Sequence, residues 1–165
     1  MATPDAWIDE LLKKSVLKAS PKFGIESTSF YAARHAVLAV EVGIKVDRVC
    51  ISSNDTGICE LQPLPGVLAS QQIINLLAMY MAGAHGCFPS TCCTSVLKVI
   101  GQATAGRPLD VELVRDAFER REELLALCEG QIQAVADALL SAHAHTLSGE
   151  EVTRIVRGVK RSIRG

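Results

Sequence analysis

The 165-residue chain is poor in aromatics, which make up 4% of it with a single Trp, and it has no surplus of charge: 17 Lys and Arg face 18 Asp and Glu, a formal charge of −1. A near-neutral chain projects no global field toward nucleic acid or anionic lipid, so neither is expected as a partner. Long hydrophobic runs are also missing. The longest, IINLLAMYMAGA, falls short of the roughly twenty apolar residues that span a bilayer, so direct membrane insertion is not expected. The opening MATPDAWIDELLKK has no basic leader followed by an apolar stretch, which argues against a secretory signal. Six cysteines, at 50, 59, 87, 92, 93 and 128, lack the framework of a small secreted domain and read as reduced thiols in a cytoplasmic protein. The one basic cluster, RIVRGVKRSIRG, could touch an acidic partner but reads first as a solvated helix end, where cations suit the helix dipole.

What is present is aliphatic: 48% of the residues are hydrophobic, and Ala, Leu and Val dominate. A chain this long forms one folded unit burying roughly two-thirds of its unfolded surface. Thr3-Pro4-Asp5 starts a helix striped by Trp7, Ile8, Leu11 and Leu12, which ends before Ser20-Pro21; residues 1–22 thus form a helical extension to a domain over 23–165. From Ser27 to Val42 the next helix is apolar on nearly all sides, the mark of central burial. Gly43 stops it, and the period then changes to two. VDRVCIS and TGICELQP flank a turn at Asn54-Asp55, which predicts a hairpin. A two-residue turn there places Cys50 opposite Cys59, as two packed thiols or a strained cross-strand disulfide. Further helices are predicted from Val67 to Ala84, from Pro89-Ser90 through Ile100, and from Leu109 to about His143 with a bend near Gly130. A last helix opens on a Ser148–Glu151 capping box. The architecture is mainly α with a small β-hairpin.

The stretch FYAARHAVLAV, residues 30–40, has the rhythm of a metallopeptidase helix. In an HExxH motif two histidines one turn apart bind zinc and the glutamate between them moves protons. The order of YAARHAV, VDRVCIS and AGAHGC in a helical chain resembles the peptidase domain of FtsH-type zinc proteases, over about residues 27–158. That resemblance implies an FtsH peptidase-domain-like helical fold. It puts Tyr31 at the first zinc histidine, Ala32 at the general-base glutamate and Arg34 at the motif glycine, and only His35 keeps its chemical identity. The family's third ligand, an aspartate near a helix start, falls by order at Asp110, and the glutamate of its AGxxAE segment falls at Cys87. Zinc hydrolysis needs about three protein ligands, an open position for water and a base, and alanine accepts no proton. The family's ATP-driven motor is absent too, since the chain has no GxxxxGK[ST] stretch.

His35 then has three readings: a structural imidazole satisfied by Tyr31, which is four residues away on the same face, or by a backbone carbonyl; a residual metal ligand; or an acid-base group. Arg34 needs a counterion, with Glu41 and Asp110 as the candidates. His85, Cys87, Cys92 and Cys93 form a second cluster with zinc-competent donors, readable also as reactive thiols or plain buried ones. His143 and His145 are explained by a helix end. The leading expectation is a catalytically inactive peptidase-like domain, a pseudoenzyme without a cofactor, that binds a protein or peptide along the hairpin edge. One alternative is a zinc-dependent hydrolase with relocated ligands (His35, Asp110, and His85 or Cys87). The other is a redox sensor built on Cys92 and Cys93. The uneven apolarity of the helices also suggests a self-association surface and a homo-oligomer.

Overall fold

The computed structural model describes residues 25–53, 56–62, 69–82 and 111–159. The predicted N-terminal extension, the helix after Pro89 and the residues His85, Cys87, Cys92, Cys93 and Asp110 lie outside the described residues. Labels below count described elements only.

Helix α1, Ile25–Glu41, runs through the centre of the fold. Its alanines at 32, 33, 36 and 39 are all buried, and these small side chains let α1 lie against α2 (Ser70–Ala82), α4 (Glu129–Ser141) and the sheet at once. The helix ends where the sequence places a glycine. Gly43 adopts φ +82°, its N–H donates to the Val40 carbonyl at 3.2 Å, and Ile44 N–H donates to the Ala39 carbonyl at 2.8 Å. That paired closure satisfies two carbonyls that would otherwise end the helix unbonded.

The hairpin of β1 (Val46–Ser53) and β2 (Thr56–Leu61) follows. Ser53 pairs with Thr56 across residues 54 and 55, as a two-residue turn requires, but the register then shifts by one. Ser52 is the extra residue, and beyond it Ile51 faces Gly57, Cys50 faces Ile58 and Val49 faces Cys59. The expected Cys50–Cys59 pairing is therefore corrected: the bulge puts the two side chains on opposite faces of the sheet, so they cannot bridge. Both are free thiols. Burial pushes the Cys59 thiol up to about 12, far from the thiolate that redox chemistry uses.

A third strand, β3 (Thr146–Ser148), pairs antiparallel with β1 and gives the order β2-β1-β3. The helix ends in SAHAHTL as expected, at Ser141, and this unpredicted strand follows it. The chain reaches it through a 3₁₀ turn at His143–His145, where Ala144 and His145 take φ of 51° and 47°. Before it, α3 (Val111–Leu127) and α4 meet at a 72° bend. The break falls at buried Cys128, two residues before the glycine expected to carry it. Helix α5, Gly149–Gly158, opens on the expected capping box: Ser148 Oγ accepts from Glu151 N–H at 3.2 Å and the Glu151 carboxylate accepts from Ser148 N–H at 2.8 Å.

One aliphatic core joins these elements, and the fold is mainly α with a small antiparallel sheet. Gln131 is its notable buried polar group, donating to the Val156 carbonyl at 2.9 Å and to the Glu41 carboxylate at 3.2 Å. It ties the end of α1 to α4 and α5. Among the described residues no single helix is long and apolar enough to cross a membrane.

Candidate functional site

The residues singled out on α1 lie in packing. Tyr31, Ala32 and His35 are 5%, 1% and 6% exposed. Tyr31 and His35, one turn apart, meet edge to face with ring centroids 4.8 Å apart and planes at 71°, a favourable aromatic arrangement. The imidazole also hydrogen-bonds the backbone carbonyl of Met79 in α2, so its N–H donates across the α1–α2 contact. Burial lowers the His35 pKa to about 4, the Met79 bond opposes that shift, and the Arg34 guanidinium adds a smaller lowering. At neutral pH His35 is an uncharged donor whose partner is a structural carbonyl.

Ala32 faces the sheet. A β-carbon on Gly57 of β2 would stand 3.1 Å from the Ala32 β-carbon and 3.2 Å from the Thr28 carbonyl oxygen. The glycine thus lets the sheet press directly on α1 where the resemblance puts a general base. Gly57 was not among the residues read as functional. Its signal in the sequence is a glycine inside a strand pattern, which marks close approach of another backbone.

Of the candidate ligands, only His35 lies among the described residues, and no group of three or more His, Cys, Asp or Glu is placed there to hold a metal ion. Glu41, one of the two counterions considered for Arg34, accepts from Gln131. The His145 ring contacts the Leu139 carbonyl at 3.1 Å through Nδ1, at the turn into β3.

Two surface features remain. Strand β2 is an edge strand, and among the described residues nothing pairs with its outer side. On the sheet face away from α1, Arg48 and Glu60 form a two-pronged ion pair at 2.6 and 2.8 Å, beside the exposed side chain of Ile58. At the other end of the hairpin from its turn, a groove of about 710 Å³ is lined by Lys45, Val46, Gln62 and the α5 residues Gly149, Glu150, Thr153, Arg154 and Arg157.

No protein-family model and no curated protein matches this chain.

Proposed function

We propose that this chain is a catalytically inactive, FtsH-type peptidase-like domain that works by binding an extended protein or peptide segment. The observation that carries this reading is the state of the motif helix. The positions of the first zinc ligand and the base hold Tyr31 and Ala32, both buried, and Ala32 lies against Gly57 where a catalytic water would need space. The retained histidine is occupied with Met79. Docking at a strand edge needs none of that chemistry, because it uses backbone hydrogen bonds, and β2 offers such an edge. Free thiols at Cys50, Cys59 and Cys128 suit a reducing, cytoplasmic setting.

Two measurements test the reading. Purified protein incubated with an unfolded substrate and zinc is expected to yield no chelator-sensitive cleavage, and metal analysis less than stoichiometric zinc. Amide exchange over Thr56–Leu61 is expected to slow when an extended peptide is added. Chelator-sensitive cleavage lost in His35→Ala would favour the relocated-ligand hydrolase and overturn the proposal. Protection of β2 that rises with protein concentration alone would make a second copy the occupant of the edge.

A further inference from the structure

Lys45, Arg154 and Arg157 border one groove and are all exposed. Among the described residues none of the three has a carboxylate within ion-pair distance; Arg154 acts only at longer range on Glu151. One carboxylate, Glu150, stands on the rim, so the lining holds three cations and one anion in a chain whose net charge is −1. The concentration of positive charge is therefore local, made where the topology brings the start of β1 to α5.

The groove meets the end of β2 at one residue. Gln62, which directly follows the last residue of β2, lines it, and Gln62 N–H donates to the Lys45 carbonyl at 2.9 Å, closing the end of the hairpin. A peptide laid along the six residues of β2 covers about 20 Å at about 3.3 Å per residue. Its next residues reach the Gln62 end, where the cations stand. Gly149 gives the groove a firm floor, because its α-carbon lies directly against the Val46 carbonyl.

We propose that this groove selects the partner: the segment bound along β2 carries carboxylates beyond its strand-pairing residues, and Lys45, Arg154 and Arg157 receive them. The inference rests on the peptide-binding reading above. Arginine supplies forked donors that match a carboxylate, and lysine adds a point charge. Gln62 contributes an uncharged amide to the same wall. The occupant is an acidic extended peptide, and a free anion is the outcome to be excluded.

The experiment uses the full chain and three labelled peptides that share an alternating Val-Thr stretch and end in a run of glutamates, serines or lysines. Fluorescence anisotropy is expected to show the glutamate peptide binding about tenfold more tightly than the serine peptide, with an advantage that shrinks as salt is raised. Arg154→Gln with Arg157→Gln is expected to remove the advantage and leave serine-peptide affinity unchanged. Arg154→Glu with Arg157→Glu is expected to transfer the preference to the lysine peptide, and circular dichroism checks that each variant stays helical. Equal binding of all three peptides, unmoved by the variants, overturns the groove and leaves edge docking standing. No binding of any peptide brings down both. Displacement of the glutamate peptide by equimolar inorganic phosphate would make the groove a free-anion site and overturn the peptide assignment.

Discussion

Placing a glutamate where the resemblance puts the family's base, Ala32→Glu, is the sharpest probe of α1. Ala32 is 1% exposed and its β-carbon faces Gly57 of β2, so a glutamate there is short of both room and water. Adding its side chain to a filled contact costs about 1–3 kcal/mol in strain. Holding its carboxyl protonated at pH 7, against a reference pKa of about 4.3, costs about 3.7 kcal/mol more at about 1.4 kcal/mol per pH unit. The sum, about 5–7 kcal/mol, rivals the whole stability of a typical domain, about 5–15 kcal/mol. Ala32→Gln carries similar volume and an amide head without the charge, so the difference between the two variants isolates the ionisation. A carboxyl whose folded pKa is raised loses stability as pH rises above its unfolded value. The gap between the variants should therefore widen from about 1 kcal/mol at pH 5 to about 3.7 kcal/mol at pH 7. Urea denaturation at both pH values measures it, and the His35 contribution, common to both variants, cancels. Equal stability of the two variants at both pH values, with a carboxyl titrating near 4, would mean that position 32 opens on a water-filled cleft, and the reasoning would fail.

Three further outcomes are expected. His35, with its pKa lowered from 6.5 to about 4, contributes stability that is complete above pH 6.5 and lost as pH falls toward 4, because the unfolded chain protonates first; about 3 kcal/mol disappears across that window, and urea midpoints of His35→Gln should lack the slope. Gly149→Ala would put a β-carbon on the Val46 carbonyl, a backbone group that cannot swing aside, so a loss of about 3 kcal/mol or more is expected by thermal or urea unfolding. Ala144→Gly goes the other way: the residue is exposed at φ 51°, and relief of the left-handed strain should raise stability by about 0.5–1 kcal/mol in the same assay.

The chain wrote some of this fold plainly and some not at all. Gly43 and the Ser148–Glu151 box act within one turn of helix, so their geometry is local and readable, and the all-round apolarity of residues 27–42 announced a central helix. The hairpin turn was legible at Ser53–Thr56, but the bulge at Ser52 was not, since an extra residue in a strand leaves no compositional mark. Strand β3 is three residues long, too short for any period, and exists because β1 offers a partner. The bend at Cys128 follows from how α3 and α4 pack on α1 and α2, while a glycine two residues on drew the prediction away. At the site, the Tyr31–His35 contact is a one-turn relation and could be read. The Met79 carbonyl and Gly57 reach the motif helix only through tertiary packing, and the cationic groove is assembled from both ends of the described chain.

That distribution bears on what the domain can do. Position 32 and Gly57 are coupled: the sheet lies as close to α1 as it does because one side of the contact is alanine and the other has no side chain. Adding a glutamate alone does not rebuild a hydrolytic centre, since the hairpin would have to move away from α1, and with it the β1 pairing that anchors β3 and the start of α5. His35 is held by the same logic, because turning it toward a metal would break its bond to Met79, at about 0.5–1.5 kcal/mol. The interior of the motif helix is thus committed to holding the fold together. Among the described residues, exposed groups stand at the rim, where β2 presents backbone and Lys45, Arg154 and Arg157 present charge. In the proposed reading those features serve recognition, and they can change by surface substitution without disturbing the packed helix beneath.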